Sequence, residues 1–128
     1  MSKTVARRGR PLSLYDETTQ RINNAVARDP AQLGPRLGLC ARQCGLSARE
    51  VAGLLDASLP TVYRWFFGES EPSRAYRGRA LRMLKIMEWA VKTGRIPILG
   101  YSPEETVLNY RAVSTDYAKA KDAPVDVG

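Results

Sequence analysis

The chain has 128 residues, with 20 Lys and Arg against 13 Asp and Glu and a formal net charge of +7. That length supports one domain around a single modest core, and a positive charge carried mostly by arginine favours phosphate-bearing partners, because the guanidinium fork binds phosphate oxygens in pairs. With no histidine in the chain, Cys40 and Cys44 lack further soft ligands for zinc and the commonest general acid–base group is missing, which argues against a metal site, a cofactor or an enzyme and for a binding protein.

There is no apolar run approaching the roughly eighteen residues of a membrane span and no charged-then-apolar leader, so the expectation is a cytoplasmic protein. Residues 1–13, MSKTVARRGRPLS, hold Lys3, Arg7, Arg8 and Arg10 with no acid and too few apolar groups to fold alone, and read as a flexible basic arm. Within it Arg8-Gly9-Arg10-Pro11 resembles the core of an AT-hook, whose two arginines run along the floor of a narrow minor groove. The other reading of the arm is a solubilising tail.

A helical domain is expected over residues 14–112. Its first helix, Tyr15–Asp29, takes Asp16 as cap and carries a thin stripe of Ile22, Ala25 and Val26 before Asp29-Pro30 stops it. Leu33-Gly34-Pro35 opens a second helix through Cys44, with Leu37, Cys40, Ala41 and Cys44 on one face and Gly45 as its stop. A disulfide between cysteines four apart on one helix is awkward, so both read as small reduced core residues.

The stretch the rest is built around is Leu46–Gly68, LSAREVAGLLDASLPTVYRWFFG, two short helices and a tight turn. Ser47 and Glu50 have the spacing of a capping box. Val51, Ala52 and Leu55 form one apolar stripe, and Asp56 sits at the corner, where it tolerates left-handed or bridge geometry better than most residues. Ser58 caps the second helix with Pro60 in its first turn, Val62, Trp65 and Phe66 face the core, and Gly68 ends it.

From Leu33 to Ser73 the chain resembles the Cro and phage-repressor type of helix-turn-helix domain. The residues that carry the likeness are Leu33-Gly34, Arg36-Leu37, Gly45-Leu46-Ser47, Glu50-Val51-Ala52, Leu54-Leu55, Ser58, Thr61-Val62, Arg64-Trp65, Gly68 and Pro72-Ser73. The resemblance implies an all-α, lambda-repressor-like bundle of about five helices. It implies that Ser58, Leu59, Pro60, Thr61, Tyr63 and Arg64 face the major groove of double-stranded DNA, with Ser47, Ala48 and Arg49 near phosphate.

The departures from the family pattern fall on the contacting surface. Ala48, Leu59 and Pro60 stand where family members often carry an amide, so base reading would rest on Arg64, Thr61 and Tyr63. Glu69 and Glu71 put negative charge in a loop that is commonly basic, and Phe66 and Phe67 replace residues more often polar. With Leu59 they suggest an alternative, a protein partner at this face; the bland reading is that both rings pack under the following helix.

That helix is expected from Ser73 to about Thr93. Tyr76, Ala80, Met83, Met87 and Ala90 make one apolar stripe and Leu81, Leu84 and Val91 a second, the face of either a core helix or half of a homodimer seam. Arg74, Arg77, Arg79, Arg82 and Lys85 project from its first half and are expected to supply the phosphate anchoring that the acidic loop lacks, Arg74 and Arg77 foremost, or else to form an ordinary solvated face. Arg95–Gly100 reads as an extended connector pinned by its apolar residues. Ser102-Pro103-Glu104-Glu105 starts a short last helix to about Arg111, and residues 113–128 read as a disordered tail.

The reading that follows is a DNA-binding transcriptional regulator of phage or bacterial type. Two alternatives stand beside it. One is a phage DNA-packaging subunit, since Gly9-Arg10-Pro11, Tyr15 and Thr61-Val62-Tyr63-Arg64-Trp65 look like some small terminase subunits; the other is a protein-interaction module using Leu59, Phe66 and Phe67.

Overall fold

The computed structural model of the protein describes residues 16–122. Among them are six helices and no strand, one helix above the expected count: α1 Glu17–Arg28, α2 Leu33–Gln43, α3 Ala48–Leu55, α4 Leu59–Phe66, α5 Arg74–Lys92 and α6 Pro103–Asp122. The basic arm with Arg8 and Arg10, and Tyr15, lie outside the described residues.

Helix ends follow local chemistry. Asp16 accepts from the Thr19 N–H at 2.7 Å and opens α1. At α3 both halves of the capping box form, with the Ser47 hydroxyl accepting from the Glu50 N–H and the Glu50 carboxylate accepting from the Ser47 N–H at 2.8 Å. Asp56 takes the left-handed conformation, φ 57°, that lets the chain turn from α3 into α4.

α2 is the central element, packed against α1, α4 and α5. Gly34 and Gly38 allow the closest of these contacts. A Cβ on Gly34 would lie 2.3 Å from the Trp65 carbonyl oxygen, and one on Gly38 would lie 2.8 Å from the Phe66 ring. The α4 backbone therefore rests directly on α2, and Val62, Trp65 and Phe66 are fully or almost fully buried behind it. Each such side chain contributes roughly 1.5–3 kcal/mol through removal of apolar surface from water. This is what turns an eight-residue helix, too short to persist alone, into a rigid element.

Most of the broad apolar face of α5 is consumed inside the chain, although Leu81 is exposed and Tyr76 and Val91 are half-buried. Ala80, Met83, Leu84, Ile86, Met87 and Ala90 are all buried, so that stripe belongs to the core and not to a dimer seam. In the connector only Ile98 is buried; its N–H donates to the Cys44 carbonyl at 3.0 Å, whereas Ile96 and Leu99 are exposed.

The chain's end departs from expectation. α6 does not stop near Arg111 but runs to Asp122, with Val113 and Tyr117 buried and the Trp89 ring edge-on to Tyr117 at 5.8 Å. The sequence offers one large apolar side chain per turn here. A stripe that thin is enough because Trp89 on α5 supplies the opposing surface.

Candidate nucleic-acid interface

α4 is held at three points, and each sets how its outer face is presented. Its buried side rests on α2. Its start is fixed by Ser58, whose hydroxyl accepts from the Thr61 N–H at 3.3 Å and donates to Thr61 Oγ1 at 2.8 Å. Its end is clasped from α1: Arg28 donates to the Phe67 carbonyl at 3.3 Å, and the Arg21 guanidinium lies 3.7 Å from the Phe67 ring centroid.

The outward surface carries a connected polar line. Arg64 donates to Thr61 Oγ1 at 3.3 Å, so Ser58, Thr61 and Arg64 form a chain of hydrogen bonds at successive i, i+3 positions. Ser58, Pro60 and Arg64 are exposed, and Thr61 is half-buried. Leu59 and Tyr63 are also half-buried and pack against the core, and Tyr63 stacks on Phe67 at 5.6 Å. In α3, Arg49 is exposed and Ala48 is buried. The Ser47 hydroxyl is committed to Glu50, which leaves Arg49 as the residue free to meet a phosphate there.

Phe66 takes the core position expected of it, whereas Phe67 and the two acidic residues Glu69 and Glu71 find partners that the sequence does not reveal. Phe66 is fully buried, so it belongs to the core and no partner can reach it. Phe67 is half-buried between Tyr63 and Arg21. Glu71 closes the amino end of α2, accepting from the N–H groups of Leu33 and Gly34, each at 2.8 Å. Glu69 pairs with Arg21 at 3.1 Å. Glu69 thus has a cationic partner, and Glu71 is turned onto the positive end of α2, which weakens the repulsion toward phosphate that their positions suggest.

On α5, Arg74 and Arg77 are exposed and in no ion pair among the described residues. Arg79, which the sequence groups with them, does something else. It donates to the Leu55 carbonyl at 3.0 Å, while the Tyr76 hydroxyl donates to the Asp56 carbonyl at 3.3 Å. These two side chains satisfy the carboxyl end of α3, where a cation also meets the negative pole of the helix. They staple α5 to the α3–α4 turn and fix where Arg74 and Arg77 project. Spacing within α5 could not reveal this, because the partner carbonyls lie 20 and 24 residues upstream.

Among the described residues no cluster of potential metal ligands occurs, and no helix is long and apolar enough to cross a membrane. Comparison with known protein families, with curated proteins and with solved structures finds no match.

Proposed function

We propose that the α3–α4 unit is a helix-turn-helix of the Cro and phage-repressor kind and that the protein binds double-stranded DNA as a transcriptional regulator. The observation that carries this reading is the outer face of α4. Ser58, Thr61 and Arg64 form one polar line on a helix whose opposite face is buried, with Ser58 and Arg64 exposed and Thr61 half-buried between them. In this arrangement Arg64 donates to base edges, Thr61 and Ser58 hold its register, and Arg49, Arg74 and Arg77 bind backbone phosphates on either side. Arg8 and Arg10 reinforce the contact from the basic arm. The burial of Phe66 and the internal bonding of Glu69 and Glu71 favour this reading over a protein partner at this face, for which the half-buried Leu59 and Phe67 would remain.

The test is a fluorescence-anisotropy titration of random-sequence duplex and single-stranded DNA at two salt concentrations. Duplex is expected to bind more tightly than single strand, with affinity falling steeply as salt rises. Arg64→Ala is expected to cost about 1–3 kcal/mol at a preferred site and to relax sequence preference. Salt-independent binding, or no duplex binding, overturns the proposal.

A further inference from the structure

A second concentration of positive charge lies away from α4, in a cleft of about 360 Å³ between α5 and α6. Arg82 and Lys85 contribute from α5 and Lys121 from α6, around the ring of Tyr117. The Arg82 guanidinium carbon lies 5.8 Å and the Lys121 ammonium 5.9 Å from that ring's centroid. Among the described residues no carboxylate lines the cleft, and none of the three cations forms an ion pair. Three exposed cations lining one cleft without a counter-charge form a field of one sign, which an anion in the cleft would offset.

Gly78 lies at the mouth. Glycine inside a helix is destabilising, and a structural reason for it is usually that a neighbour approaches too closely for a side chain. Here a Cβ would meet nothing within 4 Å. Packing therefore does not require the glycine, and as part of the lining its lack of a side chain leaves that side of the cleft open. Arg74 precedes it by four residues on the same exposed face of α5, close to where Tyr76 and Arg79 fasten that helix to the α3–α4 turn. The positive track thus runs from the turn along α5 into the cleft.

We infer that this cleft is a phosphate-binding site that takes the backbone of the duplex beyond the segment contacted by α4. The inference rests on the DNA-binding reading and extends its footprint to Arg82, Lys85 and Lys121. The shape matters as well as the charge, since the mouth at Gly78 must stay open for a sugar-phosphate strand to reach all three cations.

Gly78→Gln separates the two, because it fills the mouth without changing net charge and favours the helix. Its melting temperature should rise while its affinity for random-sequence duplex, read by anisotropy, falls at least fivefold. Lys85→Gln with Lys121→Gln should lower the salt slope by about 2, from roughly 0.9 per lost phosphate contact. A control pair of equal charge outside the cleft, Lys92→Gln with Arg111→Gln, should leave the slope nearly unchanged. Should Gly78→Gln bind as the wild type does, or the two lysine-containing pairs behave alike, the cleft assignment is wrong while groove binding through Arg64 stands. If the wild type binds no duplex even at low salt, both proposals fall together.

Discussion

Glu71 reaches back across the fold to Leu33, its carboxylate receiving that residue's N–H at 2.8 Å with one oxygen and the Gly34 N–H at 2.8 Å with the other. A helix start leaves its first N–H groups without partners, and the α2 cap residue, Gln32, makes no side-chain capping bond. A residue following α4 thus completes the helix on which α4 rests. Glu71→Ala is expected to lower stability by about 1–2 kcal/mol, the range for losing a helix cap, with Glu71→Gln in between because it keeps one acceptor. Urea denaturation of the three proteins checks this, and an unchanged midpoint for the alanine variant would show that water replaces the carboxylate without loss.

The same interface is sensitive to one methyl group. Gly34→Ala would gain about 1 kcal/mol of helix propensity on an open surface. Here the added Cβ would stand 2.3 Å from the Trp65 backbone oxygen, where no side-chain rotation can relieve the contact. The helices must separate, and a net loss of about 1–3 kcal/mol is expected, as for overpacked cores. Gly53→Ala is the control, since its Cβ would meet nothing within 4 Å; it should leave stability equal or improved by thermal melting.

These contacts divide what the sequence made legible from what it concealed. Ser47 with Glu50, Asp56, Ser58 and the stop at Gly68 were readable because each acts on backbone within a few residues, where the chemistry of one residue nearly determines the geometry. Glu71, Arg79 and Tyr76 act on carbonyl or N–H groups 20 to 38 residues away, and no spacing rule relates them. Glu71 consequently read as a negative charge set against DNA phosphates in a loop that is commonly basic. The outer face of α4 was legible as a list of residues, but the bonding of Thr61 to both Ser58 and Arg64, and the clasp of Arg21 on Phe67, needed the fold. The cleft at Gly78 was the least legible, because half of it comes from Tyr117 and Lys121 in a segment whose sparse apolar pattern read as disordered.

That segment gives a direct test. Tyr117 is 8% exposed, meets the Trp89 ring edge-on and sits under Arg82, so α6 is anchored well beyond Arg111. Tyr117→Ala is expected to cost about 3 kcal/mol, as for other buried aromatic truncations. Far-ultraviolet circular dichroism should also lose helix signal as the last turns of α6 fray. A chain ending after Arg111 should show at least as large a loss. Equal stability in all three proteins would mean that the end of α6 is not docked.

The two thiols supply a prediction in pH. Burial pushes the Cys40 thiol up to about 12, helped by the neighbouring Cys44 and Glu88 and opposed by Arg36, and burial alone pushes Cys44 up to about 11, from an ordinary value of 9.0. Both are therefore protonated in the folded chain at neutral pH, and a thiol-specific reagent should modify them no faster than the protein opens. The sign of the stability effect follows from proton counting. Above pH 9 the unfolded chain gives up these protons while the folded chain keeps them, so the folded state binds more protons and stability falls as pH rises from 9 toward 11 and 12. Well below pH 9 neither state ionises and the thiols have no influence. Cys40→Ala with Cys44→Ala should accordingly lose less stability than the wild type between pH 8 and pH 11, measured as the change in urea midpoint. A pair of curves that run parallel over that range would show that the thiols ionise as readily inside the core as outside it.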